Sequence, residues 1–134
     1  MQQEPSESLN PRMSIRDALR EAGVPSDPGW LERIRIPREW IDRPTRQLSE
    51  GQRARVAILR AAAALQNGLL ILDESLSGLD PATRGHILSF LCQMQQDRKL
   101  SLLLVTHDTD FLADLNVRSI RMSEGRIAQD AAAS

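Results

Sequence analysis

Apolar positions along the chain recur at two spacings, and these divide it into helices with one apolar face and short runs without a polar break. Gln3–Met13, QEPSESLNPRM, is polar with two prolines and is expected to be loop. Ile15, Ala18, Leu19 and Ala22 fall on one helical face behind a capping Ser14, and Gly23 ends that helix. Pro25–Gly29 predicts a turn. Trp30, Leu31, Ile34 and Ile36 predict a second short helix before Pro37, and Pro37–Asp42 a further helical turn. Ser49 opens the next helix, Ala-rich and running to about Gln66. Ser49-x-x-Gln52 is a capping box, in which the hydroxyl and the amide side chain each satisfy a free N–H.

The unbroken runs come next. Leu69–Leu72 follows an Asn67-Gly68 turn signal and leads into Asp73 and Glu74. Such a run predicts a strand buried on both faces of a parallel sheet. Ser75–Leu79 predicts a turn, and Asp80-Pro81 the cap and first position of a helix over Ala82–Gln96 that buries Ile87, Leu88, Leu91 and Met94. Ser101–Val105 predicts a second buried strand, ending in Thr106, His107 and Asp108. Asp110–Leu115 reads as helical. Arg118–Met122, a turn at Gly125 and Arg126–Ile127 read as a closing hairpin, with a frayed tail at Ala131–Ser134. The order of elements defines an α/β class.

Composition narrows the functions. A chain of 134 residues suffices for one domain or one lobe of a larger one. The formal net charge of −1 gives no basic footprint for nucleic acid, so none is expected as a partner. The single Cys92 lies in the helical pattern with Ile87, Leu88 and Leu91, which predicts a reduced core thiol. No apolar run approaches a membrane span, and the first residues, MQQEPSESLN, are too polar for a secretory signal. Any membrane association is expected to come through a partner.

Ligands of parallel sheets bind beyond the carboxyl ends of the strands, where Asp73 and Glu74 stand. Two carboxylates at a buried strand tip are costly to desolvate without a cation, and a hydrated Mg²⁺ with phosphate oxygens meets that need. Two solvated acids are the alternative. His107, at the next strand tip, is either a hydrogen-bonded structural residue or a catalyst. Asp80 has a sufficient role as helix cap. The start of the Ser49 helix, with Gly51 leaving its amides open, is a candidate anion site.

Taken together, LSEGQ (Leu48–Gln52), LLILDE (Leu69–Glu74), SGLD (Ser77–Asp80) and LLLVTHD (Leu102–Asp108) resemble the signature, Walker B, D-loop and H-loop of ABC transporter ATPase subunits. Gln3–Met13 resembles the Q-loop and its continuation in importers of oligopeptides, dipeptides and nickel. The resemblance implies an ABC ATPase (P-loop NTPase) fold: a parallel sheet with helices plus a small helical subdomain. Residues 1–13 would be the Q-loop segment, 14–47 the helical subdomain, 48–130 the ATPase core from signature to C-terminal hairpin, and 131–134 a tail. It implies ATP and Mg²⁺ as cofactors, with Asp73 and Gln3 at the metal, Glu74 polarising the attacking water and His107 at the γ-phosphate. Ser49, Gly51 and Gln52 would clamp ATP held by an opposite subunit, and Asp80 would act across the dimer. Partners would be a second ATPase subunit and transmembrane permease subunits, placing the chain at the cytoplasmic face of the membrane.

Two departures qualify this. Glu50 stands where the family has Gly; a carboxylate there suits the helix dipole but repels phosphate unless it faces solvent. The only lysine, Lys99, lies between Arg98 and Leu100, so no Gly-x4-Gly-Lys-Ser/Thr occurs. The expectation is a C-terminal part of such a domain (truncated gene, split gene or mis-called start) without the P-loop strand, leaving the His107 strand with an open edge. Such a chain is expected to be marginal, aggregation-prone or paired along that edge, and activity in isolation is open. Two alternatives stand beside it: a non-enzymatic or relic interaction module, and a chromosome-maintenance type ATPase lobe, for which the chain shows no heptads.

Overall fold

The computed structural model describes residues 9–25, 28–113 and 115–132. Helix α1, Ile15–Glu21, starts at Ser14, whose Oγ accepts from Asp17 N at 3.1 Å. Its first amides donate to Arg43 and Ile41 carbonyls, which folds the following segment back on it. Helix α2, Pro28–Arg33, begins inside the expected Pro25–Gly29 turn, because proline is accepted at a first helical position. It stops where Arg35 adopts a left-handed φ of 57°, which leaves Ile36 buried beyond the helix end. Two single 3-10 turns, Arg38–Trp40 and Thr45–Gln47, lead on to helix α3, Glu50–Ala63.

The capping box of α3 is complete: Ser49 Oγ accepts from Gln52 N at 3.3 Å and Gln52 Oε1 from Ser49 N at 2.9 Å. The helix ends three residues before the expected Gln66. Asn67 takes a φ of 55° and donates its amide to Arg98 O, which turns the chain away from the helix axis. Strand β1, Leu69–Asp73, pairs in parallel with β2, Ser101–Val105, in register Leu69 to Ser101 through Asp73 to Val105. Helix α4, Pro81–Arg98, makes the crossover and is longer at both ends than Ala82–Gln96. Helix α5 covers Thr109–Ala113; its expected continuation through residue 114 lies outside the described residues. Strands β3, Ser119–Ser123, and β4, Arg126–Ala131, form the expected hairpin. Glu124 and Gly125, at φ 49° and 73°, supply the two left-handed residues of a hairpin turn. Ala131 belongs to β4 rather than to a tail.

One core joins α1, α2, α3, α4 and one face of the sheet. Two expectations are corrected by it. The strands are not buried on both faces: Leu70 and Leu72 are each 6% exposed, but Leu69 and Ile71 are 54% and 55% exposed. Leu103 and Val105 share their fate in β2. The reason is coverage, since α3 and α4 lie on one face and no described element covers the other. Nor is Cys92 a core thiol; it is exposed. Helix α4 buries Ile87, Phe90, Leu91 and Met94, and Cys92 follows the stripe of Leu88, which is only half-buried. Among the described residues β2 pairs only with β1.

Candidate functional site

The chain leaves both parallel strands at the same end, and that end gathers the candidate chemistry. Asp73 closes β1, its side chain on the open face with Leu69 and Ile71 by strand alternation. Glu74 follows at φ 51°, a left-handed conformation that costs a non-glycine residue about 1–2 kcal/mol. Its amide donates to Val105 O at 2.9 Å, so the turn is stitched to β2. This places Glu74 Oε2 3.0 Å from His107 Nδ1. Oε2 is shielded from solvent and its one ion-pair contact among the described residues is His107, so the contact becomes a hydrogen bond when the imidazole carries its proton on Nδ1. The hydrogen bond and charge of Glu74 raise the His107 pKa above its ordinary value of 6.5. The ring itself is 82% exposed and free to meet a ligand on its other side.

Asp80 caps α4 twice over. Oδ1 accepts Thr83 N at 2.9 Å and Oδ2 accepts Thr83 Oγ1 at 2.6 Å, which holds its carboxyl below the usual range. Thr83 also receives Arg55 Nη2 at 3.3 Å. A Cβ on Gly51 would stand 3.3 Å from Thr83 Cγ2, so the glycine permits close packing between the first turns of α3 and α4. Glu50 is exposed to solvent. No hydrogen bond or ion pair joins Ser49, Gly51 or Gln52 to Asp73, Glu74 or His107 among the described residues. The candidates thus form two groups, one at the strand tips and one at the start of α3, linked through Thr83 and Asp80. Gln3 lies outside the described residues.

Residues that carried no role in the sequence join them here. Arg84 Nη1 meets Asp108 Oδ2 at 2.8 Å, and its guanidinium lies over the Phe111 ring at 4.8 Å. Asp108 Oδ1 caps α5 by accepting Phe111 N at 3.0 Å. The Asp108-x-x-Phe111 spacing of a helix cap was the available signal. Arg84 gave a misleading one, since four residues from Asp80 on a helix suggests pairing with Asp80. A cavity of about 380 Å³ opens between Leu76–Asp80, Arg84 and residues 106–108, with Phe111 at its end.

An exposed carboxylate at a strand tip, with no side-chain partner among the described residues, is the hard oxygen donor that Mg²⁺ takes, so Asp73 fits the metal that the fold implies. It fits as one ligand of several, because no group of three or more His, Cys, Asp or Glu gathers among the described residues. For the triphosphate, the fit is the start of α3 and the exposed side of His107.

Comparison with known proteins bears on the family and the fold. A family model described as ABC transporter matches residues 1–77. The carnitine transport ATP-binding protein OpuCA of Listeria monocytogenes is 34% identical over 133 residues, covering 90% of this chain and 33% of OpuCA. The thiamine import ATP-binding protein ThiQ of Yersinia pestis is 42% identical over 90 residues, covering 67% of this chain and 38% of ThiQ. CbiO1 of Clostridium perfringens, part of the ABC transporter complex cbiONQ, superposes with a TM-score of 0.75 at 29% identity, over 95% of this chain and 53% of that one. The fold is that of an ABC-type ATP-binding domain. The chain belongs to the ABC transporter family, and it spans about a third of the length of the curated relatives. No helix among the described residues is long and apolar enough to cross a membrane.

Proposed function

We propose that this chain is the part of the ATP-hydrolysing subunit of an ABC importer that runs from the Q-loop to the C-terminal hairpin, competent only when a P-loop is supplied to it. The observation that carries this is the Glu74–His107 contact of 3.0 Å at the tips of two parallel strands, beside the exposed carboxylate of Asp73. In the proposed reaction Asp73 and Gln3 hold Mg²⁺, which neutralises phosphate charge when bound. Glu74 orients the attacking water, held by the turn that fixes its backbone. His107 contacts the γ-phosphate with the face not turned to Glu74. Ser49, Gly51 and Gln52 present the start of α3 to nucleotide on a second ATPase subunit, and Asp80 faces the same junction. That no hydrogen bond or ion pair joins Ser49, Gly51 or Gln52 to Asp73, Glu74 or His107 among the described residues supports this division. Residues 14–47 act as the helical subdomain toward permease subunits, at the cytoplasmic face of the membrane. The SLNPRM stretch, Ser8–Met13, supports a peptide or nickel importer, whereas the relatives named above carry carnitine and thiamine in their names.

The chain alone is expected neither to bind MgATP tightly nor to hydrolyse it. A P-loop meets the triphosphate with a nest of N–H groups and one lysine, and the one lysine here, Lys99, caps the far end of α4. The remaining helix start contributes about 1 kcal/mol as a capping-type contact. A Kd of about 10–100 μM needs roughly 5.5–7 kcal/mol. Calorimetry with MgATP, beside phosphate release by wild type and Glu74→Gln, tests this. Saturable micromolar binding, or phosphate release lost in Glu74→Gln, would reveal a nucleotide site complete within these 134 residues.

A further inference from the structure

We propose that Arg84 and Asp108 are a positioning pair that locks the segment carrying His107 onto the helix started by Asp80. The inference rests on the reading of His107 given above for its meaning in catalysis, but not for its geometry. His107 has one side-chain anchor, Glu74, and is otherwise exposed. Its position is therefore set by the backbone of residues 106–108. That backbone is tied on both sides: Thr106 Oγ1 accepts Asp108 N at 3.1 Å, and Asp108 Oδ1 holds the first turn of α5. β2 and Glu74 tie this small unit to the sheet, and Arg84 ties it to α4. Among the described residues, its bond to Asp108 is the only hydrogen bond or ion pair between α4 and residues 106–108.

The choice of partner is itself informative. Asp80, four residues away on the same helix, has both carboxylate oxygens engaged by Thr83. Arg84 is thus left to reach across to Asp108, and its guanidinium lies over the Phe111 ring on the way. At 21% and 38% side-chain exposure the pair is the least exposed of the ion pairs among the described residues, though still partly open to solvent. Partial cover reduces screening by water and salt relative to a fully exposed pair. Phe111 N–H, then Arg84, keep the Asp108 carboxyl below its ordinary pKa, so the carboxylate stays charged at neutral pH. The pair also lines the cavity shared by Ser77, Asp80 and His107. Through it, displacement of the Asp80 turn is carried to the imidazole.

The full chain suits a test by NMR, because it has only two histidines to assign. The probe is the His107 ring: its ¹⁵N shifts and its proximity signals to Glu74. Arg84→Gln and Asp108→Asn are both expected to abolish the His107–Glu74 proximity signals, while His86 and the far-UV circular dichroism stay as in wild type. Asp108→Asn keeps the oxygen that caps α5, so it carries the test if Arg84→Gln fails to fold. The double variant is expected to add nothing to either single one, as for two members of one interaction. Arg84→Lys, which retains the charge, is expected to restore the proximity signals in part. Unchanged signals in Asp108→Asn, or additive effects in the double variant, would overturn the proposal. ATPase assays of the chain assembled with a P-loop-bearing subunit test the meaning separately. There kcat is expected to fall about 10–100-fold with KM little changed, as for a misplaced catalytic group. Lost ring signals with unaltered kcat would sustain the pair and refute phosphate contact by His107.

Discussion

The helical half of the molecule and its sheet half are built from equally apolar sequence, yet they end differently. Around α1, α2 and α3, every large aliphatic side chain that the helical spacing points inward is buried: Ile15, Leu19, Leu31, Ile34, Ile58 and Leu59 are each at most 3% exposed. This half is also stapled to α4. Trp30 meets Phe90 edge-on and lies between the guanidiniums of Arg33 and Arg98, at 5.3 and 5.2 Å, while Arg33 pairs with Asp97. In the sheet half, Leu69, Ile71, Leu103 and Val105 face outward, as do Ile120, Met122 and Ile127 of the hairpin. The helices complete their own contacts; the strands complete only the face that helices cover. Burying the four outward side chains of β1 and β2 the rest of the way would contribute about 3–6 kcal/mol. That is a large share of an ordinary domain's stability, on the order of 5–15 kcal/mol. The open face is therefore where a covering segment would act most strongly on this fold.

The contrast is broken most sharply by paired substitutions on opposite faces. Phe90 is fully buried where α4 meets Trp30, and Phe90→Ala is expected to cost about 3–5 kcal/mol, enough to unfold a marginal chain. Leu103→Thr, on the open face, is expected to stay within about 0.5 kcal/mol and to reduce self-association. Denaturant melts with sedimentation at several concentrations measure both. A concentration-independent monomer melting above about 60 °C in wild type, or a Leu103→Thr as damaging as Phe90→Ala, would show that the outward face is covered after all.

A smaller effect sharpens the same comparison at the junction between the halves. Ser49→Ala removes one side of the capping box on α3 and is expected to cost about 1 kcal/mol. Glycine at 49 is expected to cost only a few tenths of a kcal/mol. Chemical denaturation resolves the difference, and equal losses would mean that the hydroxyl is not what starts this helix.

How much of this was legible in the sequence follows from the range of the interactions involved. The capping box, the Asp80 cap and the hairpin turn depend on residues within four positions of one another, and each was readable. The strand pair was readable as apolar runs, but not its one-sided burial, because a run looks the same whether one face or both are covered. Cys92 failed for a related reason: the spacing marks a stripe, and its edge depends on the neighbour. Of the site, the four motifs stood out, but Arg84 and Thr83 did not. Their partners, Asp108 and Arg55, are 24 and 28 positions away, and no local pattern announces them. Nor was it legible that Gly51 lies against Thr83 as closely as a side chain allows.

The smallest effect distinguishes the halves by sign. The chain has two histidines, one on α4 near the helical half and one at the strand tips. In His86, burial and the neighbouring charges of Arg35 and Arg55 lower the pKa below 6.5. In His107, the hydrogen bond and charge of Glu74 raise it above 6.5. A raised pKa means that the native state holds its proton more tightly than the unfolded chain. The His107 contribution is thus complete below about pH 6.5 and fades as pH climbs through the raised value. A lowered pKa means the reverse: the unfolded chain takes up a proton first, so His86 withdraws stability as pH falls from 6.5 toward the lowered value. In wild type the two act on opposite sides of pH 6.5: His107 adds stability as pH falls toward it, and His86 withdraws stability as pH falls below it. Removing either one exposes the other. His107→Asn is expected to lower the melting temperature at about pH 5.5 and leave it nearly unchanged at about pH 8.5. His86→Gln is expected to raise it at the acid end relative to wild type and to give no such gain at the alkaline end. The shifts should be small, because His107 is largely exposed to solvent and its contact with Glu74 is screened. Melts of the three proteins in one buffer series decide it. An identical loss for His107→Asn at both pH values would mean that the imidazole does not meet Glu74 as a proton donor, and that the contact at the strand tips is steric.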